Sequence, residues 1–532
     1  MVANSLTVAT WTVVSRVTGL ARITVVAAVL GPTYFGNTFE ATNLLPNLTY
    51  EFLTGALFTS LLVPPLVRHI DDGDPRAVER VAGGFLGIAL VAFLVATLAL
   101  TLAGPLLLRV LTIGVDDPSV VSYQLRVGWP LIAMLMPQIL LYGTAATGAA
   151  VMNAHGRFAL AAAAPAFESL GVIATMGANA YLFGTAPSLE TVTTPQLLLL
   201  GLGTTAAVGL HAGAQCWGAR RIGVRLLPRA GWRDAEVREV MRRALPSLGY
   251  AGLNSLRVFA VLVVANRVAG GVVAFRLALN FFYLPVAVWA RPVAVALLPR
   301  LARLAHTHAE RDFHGELVRG ASLVAFLTVP AAVSYVVLAQ PLAQAVAFGQ
   351  MDTPAGIALV AASLAALGPG VLGEAAFVTA THASYAREEA DAPFRSMIVR
   401  TGVAIAGMLV AFLQPDGASV LVALGLAVSA GNIVSAWHLS HRLRSRLVAT
   451  GERLAPPLAR AFVASALMAL PVHVVATSVP TLVDQTWGDV AGILVAVPVG
   501  LAIFLVLQWA WRSPELGLLR QGFSELRPAE GR

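Results

Sequence analysis

Lysine is absent from this chain: all 36 of its basic residues are arginine. Cysteine is nearly absent too. Cys216 stands alone, so no intrachain disulfide can form, and no metal-ligand spacing surrounds it. Charge is scarce, at 12% of 532 residues, where a soluble protein carries about a quarter. No G-x-x-x-x-G-K-[ST] loop is present, which removes ATP hydrolysis by that route. Also missing is a basic n-region ahead of the first apolar stretch, so that stretch is expected to stay in the membrane. Histidine offers little chemistry. His69, His155, His211, His306, His308, His314, His382, His438, His441 and His473 fall mostly in loops or at helix ends. His438 and His441 have ligand spacing but lack a third ligand, and are expected to be solvated. The chain does not read as an enzyme.

What is abundant is apolar sequence. Hydrophobic residues make up 57% of the chain, and the mean hydropathy is +0.75. A bilayer core needs about 20 apolar residues of helix. Windows of that length recur fourteen times: 6–31, 36–63, 81–108, 122–150, 158–183, 196–218, 244–266, 272–298, 320–340, 355–382, 396–414, 417–440, 458–479 and 487–511. The chain is therefore expected to be an all-α polytopic membrane protein of about fourteen transmembrane helices.

Arginine sets the orientation. Links after even-numbered spans hold Arg68, Arg76 and Arg80; Arg157; eight arginines from Arg220 to Arg243; Arg300, Arg303, Arg311 and Arg319; Arg387 and Arg395; and Arg442, Arg444, Arg446, Arg453 and Arg460. The tail adds Arg512, Arg520, Arg527 and Arg532, whereas links after odd-numbered spans hold only Arg109 and Arg267. Short arginine-rich loops stay cytoplasmic, which places both termini inside.

The longest basic link divides the chain into residues 1–219, a six-helix lobe; 220–243, a cytoplasmic linker; 244–441, a second six-helix lobe; 442–511, helices thirteen and fourteen; and 512–532, a cytoplasmic tail. Two echoes mark the lobes as a pseudo-two-fold repeat. P-x-L-x-R closes span two at Pro64 to Arg68 and span eight at Pro299 to Arg303. Arg157 with Pro165, and Arg387 with Pro393, each pair an arginine ending one helix with a proline expected to open the next. Such repeats commonly hold substrate between the lobes near the midplane.

Ionisable and amide residues inside the spans cluster in the first two helices of each lobe. The first lobe has Arg16, Arg22, Glu40, Asn43, Asn47 and Glu51; the second has Asn254, Arg257, Asn266, Arg276, Asn280 and Arg291. An arginine at mid-bilayer costs from ~3 to more than 10 kcal/mol, so it faces a cavity or a partner. Asn266 and Arg291 sit near helix ends, where snorkelling competes with a functional role. Arg16 and Arg22 lie six residues apart, hence ~9 Å along an ideal helix axis and ~120° around it. Gly19 between them offers a bending point. Arginine stays charged when desolvated and grips phosphate with two N–H groups, so these cavities suit an anionic, phosphorylated substrate. Glu40 and Glu51 are expected to pair with the arginines and exchange partners when substrate arrives.

The run Ser15-Arg16-Val17-Thr18-Gly19-Leu20-Ala21-Arg22, then Leu45-Pro46-Asn47-Leu48 and Gly55-Ala56-Leu57-Phe58, resembles the start of the MviN/MurJ lipid II flippases. These belong to the multidrug/oligosaccharidyl-lipid/polysaccharide exporter superfamily. The likeness continues at Asn153 to Phe158 with Ala164-Pro165, at Leu297-Leu298-Pro299, and at Tyr385-Ala386-Arg387 with Pro393, so it covers essentially the whole chain. The resemblance implies two lobes around a cationic cavity, with the last two helices forming a groove for an isoprenoid tail. It implies alternating-access transport of a polyprenyl-pyrophosphate-linked peptidoglycan precursor across the bacterial cytoplasmic membrane. The substrate-binding set it suggests here is Arg16, Arg22, Asn47, Tyr50, Glu51, Arg257, Arg276 and Asn280. Departures from the family pattern are Ile23 and Asn37 where acidic residues are usual, and Tyr50 and Asn280 where arginines are usual; Arg276 lies one turn from Asn280. Expected partners are a lipid-linked anionic substrate, membrane lipids and other cell-wall synthesis proteins, with no nucleic acid. No cofactor is expected, and coupling to membrane potential or a monovalent cation stays open. The alternatives are an exporter of another lipid-linked glycan or a drug, and a non-transporting scaffold of wall synthesis.

Overall fold

The computed structural model describes residues 2–54, 58–445, 453–483 and 487–525. Gly55, Ala56, Leu57, Arg446, Arg527 and Arg532 lie outside them. Thirteen of the described helices are long and apolar enough to cross a membrane. The chain is an all-α polytopic membrane protein. Within the window at 36–63 the described residues are helical and carry Pro46 in Tyr34–Thr54 and Pro64 and Pro65 in Phe58–Asp71. The chain forms two compact units, residues 1–273 with 348–351, and residues 274–347 with 352–532.

The first unit carries α1 (Val2–Leu30), α2 (Tyr34–Thr54), α3 (Phe58–Asp71), α4 (Pro75–Leu102), α5 (Gly104–Leu111), α6 (Pro118–Leu135), α7 (Gln138–Ala154), α8 (Phe158–Phe183), α9 (Thr194–Arg221) and α10 (Ala235–Ala265). It thus includes α10, which the hydropathy repeat assigns to the start of the second lobe. Helix starts follow their capping chemistry. Asp74 accepts from the Ala77 N–H at 3.0 Å with Pro75 as the first helical residue of α4, and Asp117 and Thr193 cap α6 and α9 in the same way. Leu30, Phe35, Phe39, Leu131, Leu135 and Met176 form a shared core. The second half of α1 is buried in it, from Ile23 to Leu30, while Trp11, Val13 and Val17 farther up the same helix are exposed.

Amides lock the ends of α2, α6 and α10 together. Asn37 donates from Nδ2 to the Val268 carbonyl at 2.8 Å and accepts from the Val272 N–H at 2.9 Å. Asn266 and Gln124 bond each other side chain to side chain, at 3.0 and 3.1 Å. Asn266 is therefore a fully buried structural amide and does not snorkel. Gly270 closes this corner in the left-handed region, at φ +75°, with the Pro32 Cα 2.2 Å from where a Cβ would stand.

The basic linker is a strap on α4. Its backbone runs so close to Gly83, Gly84 and Gly87 that a Cβ on Gly87 would lie 2.0 Å from the Arg229 carbonyl oxygen. The Arg229 N–H donates to the Gly83 carbonyl at 2.9 Å. Glu79 accepts from the Arg225 N–H at 2.9 Å, Arg80 pairs with Asp234, and His69 Nε2 lies 2.9 Å from Glu236. Burial pushes the Asp234 carboxyl up, but the Glu236 and Val237 N–H groups and the Arg80 guanidinium outweigh it and hold it below its usual range.

The second unit carries α11 (Gly271–Pro285) from Ala274 onward, α12 (Arg291–His306), α13 (Glu310–Val337), α14 (Ala339–Val346), α15 (Pro354–Ala386), α16 (Asp391–Ala411), α17 (Ala418–Arg444), α18 (Ala455–Ser478), α19 (Gly488–Ala510) and α20 (Pro514–Glu525). A π-helical turn, Val286–Ala290, joins α11 to α12. Gly370, Gly373 and Gly425 let α15 and α17 approach backbone to backbone, where the Ser429 hydroxyl donates to the Ala366 carbonyl at 2.7 Å. Between α15 and α16, Glu374 and Arg400 form a buried ion pair. Ionisable side chains are thus not confined to the first two helices of each lobe. Of the two expected helix-opening prolines, Pro393 is the third residue of α16, but Pro165 lies two turns inside α8.

Candidate functional site

The first unit gathers five side chains from five helices. Arg22 sits where α1 passes from its exposed half into the core, and its Nη1 donates to Glu168 Oε1 of α8 at 2.9 Å. His211 of α9 sets Nδ1 3.0 Å from Glu168 Oε2, so the ring donates from Nδ1 to the ionised carboxylate. The Tyr142 hydroxyl of α7 donates to Glu168 Oε1 at 3.3 Å. Tyr50 of α2 packs its ring 5.7 Å from that of Tyr142. Glu168 therefore receives three donors, one of them cationic, as a carboxylate inside a membrane span requires. The Arg22 side chain is 26% exposed against 12% for Glu168, so the guanidinium is the accessible member of the pair.

The partner of Arg22 is thus Glu168. Tyr50 joins the cluster through its ring, Glu51 and Arg16 are exposed, and Glu40 is buried. Asn47 is half-buried beside Leu48, whose carbonyl accepts from the Ser255 hydroxyl of α10 at 3.1 Å. Arg257 is only 3% exposed; its Nη2 donates to Asn254 Oδ1 at 3.0 Å, and its Nε has no partner among the described residues. In the second unit Arg276 and Asn280 share one face of α11, and Asn280 Nδ2 donates to the Arg276 carbonyl at 2.8 Å.

Glu168, His211 and Tyr142 escape a reading that looks only at the first helices of a lobe. His211 lies well inside α9 and not at its end. The second unit holds a parallel arrangement. Ser396, three residues after Pro393 as Glu168 is three after Pro165, lies 2.9 Å from Nδ1 of His438 on α17. His438 is thus half-buried and bonded through Nδ1, while His441 is exposed.

The family model described as lipid II flippase MurJ matches residues 26–495. The chain belongs to the lipid II flippase MurJ family. Among relatives, the probable lipid II flippase MurJ of Rhizobium tropici is 26% identical over 99% of this chain and 98% of its own length. That of Rhizobium meliloti (strain 1021) is 25% identical over 89% of this chain and 86% of its own. A solved lipid II flippase MurJ in an inward closed conformation aligns with a TM-score of 0.74 at 14% identity, covering 95% of this chain and 98% of that one. The fold also extends to an inward-facing multidrug resistance MATE family transporter of the MOP superfamily, at a TM-score of 0.65 and 16% identity. Arg16 and Arg22 precede the stretch that the MurJ model matches.

Proposed function

We propose that this chain carries lipid II across the cytoplasmic membrane by alternating access, with Arg22 as a headgroup-binding residue and both termini in the cytoplasm. The observation that carries the reading is a partly exposed guanidinium inside a span, held by one carboxylate that has other donors to fall back on. The diphosphate of a lipid-linked glycan presents more negative charge than Glu168 and accepts both N–H edges of Arg22. When it takes Arg22, Glu168 keeps the His211 and Tyr142 donors. This lowers the cost of leaving a buried carboxylate behind. The membrane potential or a monovalent cation drives the cycle in this reading. The basic links on one side support the orientation.

The test is complementation of a bacterium depleted of its own lipid II flippase. Wild type restores growth, and Arg22→Ala, present in the membrane at the same level, does not. Tyr50, standing where an arginine is usual in the family pattern, favours a second reading: transport of a different lipid-linked glycan. Failure of the wild type to restore growth, with the protein in the membrane, supports that one.

A further inference from the structure

A slot opens in the second unit between α13, α15, α17 and the start of α18, with a volume of about 180 Å³. Its walls change character along its length. His314, Ser440 and Arg444 border it at one end, while Ala321, Ala325 and Leu372 line its depth. From His314 to Ala325 is eleven residues of one helix, a depth of roughly 16 Å at the helical rise. The polar end is the one the arginine distribution assigns to the cytoplasm, and the last turn of α17 there carries His441, Arg442 and Arg444. On α13, Glu310 is held by Arg387 at 2.7 Å and Glu316 by Arg300 at 3.1 Å, and Asp312 is exposed in the first turn.

The occupant must match both ends. A free anion has no use for an apolar depth, and a plain hydrocarbon has no use for arginine at the mouth. We propose that the slot seats one acyl chain of an anionic glycerophospholipid from the cytoplasmic leaflet, with its phosphate on Arg444. Arg444 is exposed at the helix end, where a phosphate at headgroup level meets it, and the small side chains Ala321 and Ala325 leave the room that the chain fills. The site is separate from the Arg22 cluster and does not depend on which glycan is carried.

Native mass spectrometry of the full chain in detergent tests this, with phosphatidylglycerol and phosphatidylcholine of identical acyl chains. Wild type is expected to retain phosphatidylglycerol about fivefold over phosphatidylcholine. Arg444→Ala abolishes that preference, and Ala321→Phe lowers retention of both lipids. Equal retention of the two lipids by wild type overturns the proposal, as does an unchanged preference in Arg444→Ala, a surface variant that leaves the packing intact. Displacement of phosphatidylglycerol by equimolar undecaprenyl phosphate from wild type also overturns it, because the slot would then belong to a prenyl tail.

Discussion

Arg22 and Glu168, 146 positions apart in the chain, meet at 2.9 Å within the first unit. The pair lies where α1 changes from exposed to buried, so it both anchors that helix and leaves the guanidinium reachable. Partners in one ionic network couple energetically. Arg22→Ala and Glu168→Ala are each expected to lower stability, and the double variant to lose less than the sum, by about 0.5–3 kcal/mol. Thermal unfolding of the four proteins in one detergent measures the cycle. Strict additivity would show that the bond contributes nothing.

His211 supports Glu168 through Nδ1. Replacing it by phenylalanine removes that donor and leaves a buried oxygen unsatisfied, a loss of about 1–3 kcal/mol. His211→Gln, whose amide can donate, is expected to recover part of it. Equal losses for the two variants would place the effect in packing.

The linker strap depends on glycine. A methyl at position 87 would lie 2.0 Å from the Arg229 carbonyl, against backbone that cannot swing away as a side chain can. Gly87→Ala is expected to cost about 1–3 kcal/mol, as overpacking does, and to expose the strap to limited proteolysis. Gly73→Ala, at a position with open space around it but φ +69°, is a control for backbone strain alone. Proteolysis of the strap unchanged by Gly87→Ala would contradict the docked geometry.

Asp234 caps α10 and pairs with Arg80, and its carboxyl is held below its usual range. A depressed folded-state pKa gives stability that is present above the unfolded value, about 4, and lost as pH falls through the folded one. Strap proteolysis in wild type is therefore expected to rise below about pH 4. Asp234→Asn should show raised proteolysis already at neutral pH and little further change on acidification. Identical pH profiles for the two would remove Asp234 as the sensor. Because Arg80 is half-exposed, the ion-pair share is expected to stay under about 1 kcal/mol and to shrink with salt.

Asn37 uses both faces of its amide, donating to Val268 and accepting from Val272. An aspartate, usual at this position in the family pattern, offers no donor when ionised. Asn37→Asp is expected to lower the thermal midpoint, with a loss of about 1–3 kcal/mol. An unchanged midpoint would mean that the Val268 carbonyl finds another donor.

Hydropathy made the spans legible because a membrane helix writes its length into the sequence: the window at 158–183 coincides with α8. At 36–63 the described helices Tyr34–Thr54 and Phe58–Asp71 carry Pro46, Pro64 and Pro65, so prolines did not mark helix ends there. Arg22 stood out as a charge in an apolar run. Glu168 carried the same signal, a lone carboxylate between Phe167 and Leu170, and His211 likewise. What no local pattern contains is that α1, α8 and α9 bring these three residues together. That depends on packing between distant segments. Pro165 misled for a related reason, since a proline inside a membrane helix is tolerated where neighbouring helices satisfy the backbone it frees.

The most direct test is translocation of fluorescent lipid II in proteoliposomes holding wild type, Arg22→Ala or Arg22→Lys at equal density, with a membrane potential imposed. Wild type should move the lipid, Arg22→Ala should be at least about tenfold slower, the equivalent of ~1.4 kcal/mol, and Arg22→Lys should fall between, since it keeps the charge but loses the two-pronged grip. Transport by Arg22→Ala at the wild-type rate would contradict Arg22 as the headgroup site.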